Sequence, residues 1–262
     1  MRKVLTMVLA ALLVSGCGQA ETPGATVDAS ESPTASARAA EPASAAPSPT
    51  PAATAEPTPE PTARWDVDSA ASLQVIVNKL RPMDPADFAP QLVPVSTENE
   101  DGAEVVRPEL DAALTEMDAA MRAAIGEGTF VTSSYRSYGL QAQYYQNAID
   151  RYGQQAADTT SARPGHSEHQ TGLAIDLQST SRECRLDHCF GETEAGRWIA
   201  QHAWEFGFVL RYPPGADAVT GYAWEPWHLR FVGTDVTTAM HEHGTVTLEE
   251  FFGLAPAPEY AS

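Results

Sequence analysis

Between Pro108 and Ile125 the apolar residues Leu110, Ala113, Leu114, Met117, Met121 and Ala124 recur three or four positions apart, the period of a helix with one buried stripe. Pro108 suits the first turn and Gly126 the stop, so the spacing predicts a helix over 108–125. "GTFVTSSYR" then reads as a strand leading into a polar turn. "GLQAQYYQNAIDRYG" is a second helix with Gly153 past its end. "TEAGRWIAQHAWEFG" is a third helix, capped by Thr193 and stopped by Gly207. "FVLRY" and "WHLRFVG" are strands, and "TDVTTAMHEHG" is a short last helix. Ahead of these, "SLQVIVNKLRPMDPADFAP" gives a brief apolar run and then an extended, proline-punctuated segment. In "GLAIDL", Leu173, Ile175 and Leu177 alternate with Gly172, Ala174 and Asp176, so a strand here turns its large apolar side chains to a core. Asp176 is left on a face otherwise made of small residues. Helices and strands interleave without a regular βαβ rhythm, which predicts an α+β fold with a mainly antiparallel central sheet and flanking helices. No internal repeat is visible.

Composition divides the 262 residues into three parts. In "MRKVLTMVLAALLVSGC", Arg2 and Lys3 precede an apolar stretch, Val4 to Val14, too short to span a bilayer as a mature helix. Val14-Ser15-Gly16-Cys17 resembles a bacterial lipobox, which implies a leader over 1–16, cleavage before Cys17 and lipid on its sulfur; an ordinary signal peptide is the alternative. Residues 17–63 are rich in Ala, Pro, Ser, Thr and Glu, too poor in apolar side chains to build a core, and read as a disordered tether. At about 3.1 Å per residue such a tether reaches roughly 140 Å. Residues 64–262 remain for one folded domain. The formal charge is −19, and two units more negative once Arg2 and Lys3 leave with the leader. That balance argues against nucleic acid and against adhesion to an anionic surface, so the lipid must do the anchoring. With Cys17 assigned to lipid, Cys184 and Cys189 in "CRLDHC" are expected to close a disulfide in an oxidising compartment; a metal loop using His188 is the alternative.

Candidate chemistry concentrates in "GHSEHQTGLAIDL" and "YAWEPWHLRF". A turn at Thr171-Gly172 can fold the His169 imidazole over Asp176, giving either half of a zinc site or a hydrogen-bonded pair at a strand end. Glu225 and His228 are three apart, and Pro226 between them can aim both into the same cleft. His169, Asp176 and His228 would make a two-histidine, one-carboxylate set with the fourth zinc position open, the arrangement of a catalytic site. Glu225 is then the natural general base, against the alternative of a solvated acid before a core strand.

These motifs carry a resemblance. "SEHQTGLAID" fits Ser-x-His-x-x-Gly-x-Ala-x-Asp and "EPWH" fits Glu-x-x-His. With "SYRSYGLQ" they resemble the VanY-type zinc D-alanyl-D-alanine carboxypeptidases of the Hedgehog/D,D-peptidase fold, over about Val75 to Val232. "VNKLRPMDP" resembles the start of that domain, although the family more often has Leu where Met83 stands. The resemblance implies one zinc ion per chain on His169, Asp176 and His228, Glu225 as catalytic base, Arg136 on the scissile carbonyl oxygen, and Ser167 and Gln141 at the substrate. It implies removal of the terminal D-Ala from peptidoglycan stem peptides ending in D-Ala-D-Ala. Within the superfamily a D,D-dipeptidase or a stem-peptide endopeptidase is the alternative. A cell-wall-binding module without catalysis is another, which the presence of Glu225 and Arg136 disfavours. The expected protein is a monomer held by lipid on the extracytoplasmic face of a bacterial membrane. His166 and Glu168 flank the motif and read as a polar loop, with Glu168 the next candidate base after Glu225. His241 and His243 read as a solvated helix end, and His202, Trp198, Trp204 and Phe206 as core or its edge.

Overall fold

The computed structural model describes residues 64–261; the leader, Cys17 and the tether lie outside the described residues. Chain order runs β1 (Val93–Pro94), β2 (Glu98–Asn99), β3 (Val105–Val106), α1 (Pro108–Ile125), β4 (Thr129–Ser133), α2 (Tyr138–Tyr152), α3 (Gln154–Thr160), β5 (Ala174–Ser179), α4 (Glu194–His202), β6 (Phe208–Leu210), α5 (Asp217–Thr220), β7 (His228–Phe231), α6 (Thr234–His243) and α7 (Leu248–Phe251). Five strands form one sheet in the order β2-β4-β5-β7-β6; β2 pairs parallel with β4, and the other three pairings are antiparallel. β1 and β3 form a separate antiparallel pair. The fold is α+β with a mainly antiparallel sheet.

The apolar stripe of α1 does what its period predicts. Leu110, Leu114, Met117 and Met121 are fully buried and share one core with Val131, Leu173, Ile175, Leu177, Leu229 and Phe231 from the sheet and Ile199 from α4. Gly126, at φ 76°, ends the helix in the left-handed conformation that glycine adopts without a Cβ clash. One sheet face is thereby sealed. Along β5 and β7 the alternate residues, Ala174 with Arg230 and Asp176 with His228, are cross-strand partners on the other face. A smaller core joins Val236 and Met240 of α6 and Leu248 and Phe251 of α7 to Val67, Ile76 and Val232.

Some elements differ from the sequence reading. The third helix ends at His202; Ala203–Phe206 tightens into a 3-10 turn before Gly207. α3 has no counterpart in that reading, because Gln154–Thr160 buries only Ala157 and so carries no apolar period. The run Val75-Ile76-Val77 is buried without joining the sheet. Two of its neighbouring carbonyls, of Leu73 and Val75, are satisfied by the Arg230 guanidinium instead of a strand partner. Among the described residues no helix is long and apolar enough to cross a membrane.

Candidate active site

Three local devices converge on one cleft. The first is the turn before β5. Glu168–Thr171 forms a 3-10 turn ended by Gly172 at φ 69°, where Arg107, Leu92 and Pro90 stand about 3.1 Å from any added Cβ. Glycine is needed both for the backbone angle and for the close approach. The second is register: antiparallel pairing sets Asp176 directly across from His228. The third is an irregularity in β4 between Val131 and Ser133, after which Ser133 stands opposite Asp176. Bulges of this kind re-aim a strand next to a site, and here the strand leads on to Ser134 and Arg136.

His169, Asp176 and His228 are all buried, and their ligand atoms lie within 4.8 Å of one another. Asp176 Oδ2 is 3.3 Å from His169 Nε2, and Asp176 Oδ1 is 2.8 Å from His228 Nδ1. The other ring nitrogen of His169, Nδ1, is 2.6 Å from the Ser134 carbonyl oxygen. That contact makes Nδ1 the protonated nitrogen and leaves Nε2 a lone pair facing Asp176. Burial opposes the Asp176 charge, but the two histidines hold its carboxyl well below the usual range. Burial likewise opposes a charged His228, yet the hydrogen bond to Asp176 and the negative charge of Glu168 close by prevail and raise it to about 9. Burial lowers His169. Two imidazoles with one carboxylate are a zinc donor set. The residues therefore fit a zinc ion held by His169, Asp176 and His228.

The cleft above them encloses about 220 Å³ and is lined by Arg136, Ser167, Glu168, Tyr212, Glu225 and Trp227 among others. The Glu225 carboxylate makes no hydrogen bond among the described residues, and burial raises it to about 7. Arg136 is half-buried. Its Nη1 donates to Gln141 Oε1 at 2.8 Å and its Nη2 to Ser133 Oγ at 3.1 Å. Ser167 lines the cleft as a substrate-facing residue could. Gln141, expected at the substrate, does not line the cleft. It is fully buried, and its amide bonds to Arg136 and to the Ala162 carbonyl 2.6 Å away, so it braces the guanidinium.

Cys184 and Cys189 form a disulfide, Cα–Cα 5.5 Å. The loop it closes places Leu186 on the cleft wall and stacks His188 against Trp224 and Trp227, and with both sulfurs in the disulfide neither cysteine is a free thiolate for a metal. His166 lies off the cleft, with Nδ1 2.8 Å from the Asn78 carbonyl oxygen. His241 stacks on Trp204, and His202 packs at a tilt against Trp198.

What the sequence reading misses lies beneath the ligands. Glu168, Arg211, Arg230 and Glu249 form a buried ionic group. Arg211 Nε donates to Glu168 Oε1 at 2.8 Å, and its two terminal nitrogens fork onto Glu249 at 2.9 and 2.7 Å. The signal that could have found it is a charged residue inside each of two apolar strand patterns, "FVLRY" and "WHLRF".

Comparison with known proteins returns one family model, VanY: D-alanyl-D-alanine carboxypeptidase, matching residues 103–234. YodJ of Bacillus subtilis (strain 168) is 35% identical over 191 residues, which are 71% of this chain and 69% of that one. Among solved structures, the LdcB LD-carboxypeptidase is 34% identical with a TM-score of 0.66, over 71% of this chain and 88% of its own. The D,D-pentapeptidase VanY from a VanB-type resistance cassette, solved as a Glu-to-Ala point mutant in complex with Zn(II), is 32% identical with a TM-score of 0.58, over 69% of this chain and 98% of its own.

Proposed function

We propose a function on the premise that this chain belongs to the VanY family of D-alanyl-D-alanine carboxypeptidases and is a metallopeptidase of that family: it is a zinc-dependent D,D-carboxypeptidase that releases the terminal D-Ala from peptidoglycan stem peptides. The observation that carries the reading is the buried His169–Asp176–His228 cluster, its ligand atoms within 4.8 Å, beneath a glutamate raised to about 7. One zinc ion on these three residues would supply Lewis acidity towards the scissile carbonyl and the attacking water. Glu225 takes the proton from that water onto a carboxylate oxygen and returns it to the departing D-Ala amine; a base near neutrality suits both transfers. The Arg136 guanidinium, braced by Gln141 and Ser133, offers fixed N–H groups to the oxyanion that forms when the carbonyl carbon becomes tetrahedral. Ser167, on the cleft wall, contacts the substrate.

The likeness to the LdcB LD-carboxypeptidase favours a second reading, removal of D-Ala from the tetrapeptide stem. Incubating the purified, zinc-loaded protein with pentapeptide and tetrapeptide stems and with D-Ala-D-Ala, and weighing the products, separates the readings. Loss of one D-Ala from the pentapeptide supports the first, cleavage of the tetrapeptide alone the second, and turnover of the dipeptide a D,D-dipeptidase. No product from any of them leaves a cell-wall-binding module. For localisation we propose lipidation at Cys17 and a position on the extracytoplasmic face of the membrane, supported by the basic start, short apolar stretch and lipobox pattern. Labelling with a radioactive fatty acid, lost in Cys17→Ala, tests it.

A further inference from the structure

Two buried polar atoms near the metal ligands lack a hydrogen-bond partner among the described residues, and they face each other. Glu168 Oε2 and His228 Nε2 are both unpaired and lie 3.5 Å apart. The rest of that carboxylate is committed: Oε1 accepts from Arg211 Nε at 2.8 Å and from Arg230 Nη1 at 3.3 Å. Arg211 and Arg230 are in turn fixed by Glu249 and by the carbonyls of Leu73 and Val75. Glu168 therefore cannot swing away, and its free oxygen is aimed at one nitrogen of one ligand. A separation of 3.5 Å is an approach and not yet a strong hydrogen bond.

We propose that Glu168 is a positioning residue for the metal site: its Oε2 accepts the Nε2–H of His228, which fixes the ring and leaves Nδ1, the nitrogen next to Asp176, as the metal-facing atom. The proposal rests on the zinc reading above. It explains why four charges are buried together. Removing such ions from water costs several kcal/mol each, and an apolar cluster of the same volume stabilises a fold as well or better. A second carboxylate behind a ligating imidazole orients it and makes it a stronger donor, and losing such a partner lowers metal affinity roughly 10–100-fold. The pattern also gives the two histidines opposite roles for their nitrogens. His169 is fixed through Nδ1 on the Ser134 carbonyl and presents Nε2; His228 is fixed through Nε2 and presents Nδ1.

A purely structural ion pair would predict something else, and Glu249 is the matched control. It is a second buried carboxylate on the same arginine with no contact to a ligand. Zinc affinity is measured on the full chain by competition with a chromophoric chelator for wild type, Glu168→Gln and Glu249→Gln, with the melting temperature of each metal-free form alongside. The expected result is a zinc Kd raised at least ~10-fold in Glu168→Gln and within about 3-fold of wild type in Glu249→Gln, although both melt earlier. Equal shifts in the two variants, or none in Glu168→Gln, overturn the proposal. Should either variant not fold, the wild type decides. Long-range ¹H–¹⁵N spectra of the zinc-loaded protein, labelled at histidine, should show His228 protonated at Nε2; protonation at Nδ1 overturns the assignment. Zinc uptake by the wild type is scored separately. A wild type that binds none breaks the functional reading and this inference together, whereas zinc binding with the wrong His228 nitrogen breaks only the inference.

Discussion

Two glutamates line the same cleft and live in opposite environments. Glu168, on the floor, is fully buried. Burial opposes its charge, yet Arg211 and Arg230 hold its carboxyl well below the usual range. Glu225, on the rim, is only half-buried and has no guanidinium hydrogen-bonded to it, and the desolvation it does suffer raises it to about 7. Charge partners, rather than depth alone, therefore decide which carboxylate stays ionised and which can exchange a proton near neutrality. This sets Glu168 apart from a base: one of its oxygens is committed to two arginines, and its carboxyl is held far below the range in which a group exchanges protons near neutrality. On the proposed function it also separates a floor of paired charges from a rim carboxylate free to exchange a proton.

The strongest way to break that division is to remove a floor ligand. His228→Ala should lose both zinc and activity; elemental analysis finding undiminished stoichiometric zinc would sink the assignment. On the rim, Glu225→Gln should keep its zinc while kcat falls at least ~10²-fold, the scale of general-base catalysis. In the residual activity the acidic limb of kcat/KM, which the base controls in the wild type, should vanish or move. Near-normal turnover with an unmoved limb would mean the base lies elsewhere. Arg136→Lys keeps the charge but not the planar fork braced by Gln141 and Ser133, so kcat should drop on the order of 10- to 10²-fold with zinc retained and KM changed less. A larger change in KM than in kcat would place Arg136 in ground-state binding instead.

A smaller effect tests Glu225 without any substrate. In the metal-free protein its folded pKa, about 7, stands above the ordinary 4.5. The folded state therefore holds that proton more tightly than the unfolded chain, and stability is lost as pH rises from about 4.5 to about 7. Glu225→Gln removes this cost, so the metal-free variant should melt about 2–6 °C above wild type at about pH 8 and close to it at about pH 4.5. Thermal melts at the two pH values check the sign; a variant that melts lower at the higher pH contradicts a strained, desolvated carboxylate. Opening the Cys184–Cys189 loop should matter least. Cys184→Ser with Cys189→Ser should cost about 2 kcal/mol or less, with the domain still folded. KM for stem peptides should rise more than kcat falls, because Leu186 on that loop forms cleft wall and touches no ligand. Unchanged kinetics would mean the wall makes no contact with substrate.

Much of this is legible along the chain, because it is local. The stripe of α1, the alternation of "GLAIDL" and the caps and glycines that end helices are set by neighbours within a turn or a strand pair of each other, and they predict the α+β fold. The family is legible for a related reason: "SEHQTGLAID" and "EPWH" compress a candidate ligand, a turn glycine, a strand and a candidate base into short segments, and the fold brings both segments to one cleft. α3 escapes because Ala157 alone of its residues is buried, so no period exists to read. The bracing contacts of Gln141 escape because its position on a helix says nothing of what stands 21 residues later at Ala162.

What only the tertiary structure decided is the pairing of charges that lie far apart in sequence. Glu168 meets Arg211 across 43 positions and Arg230 across 62, and Arg211 meets Glu249 across 38. The sequence by itself determined that an arginine sits in each of two apolar strands and that a glutamate precedes a candidate ligand. It did not determine that they neutralise one another in the floor of the cleft. Register and strand order brought them together, and burial beside two arginines holds one glutamate ionised while burial without such a partner raises the other.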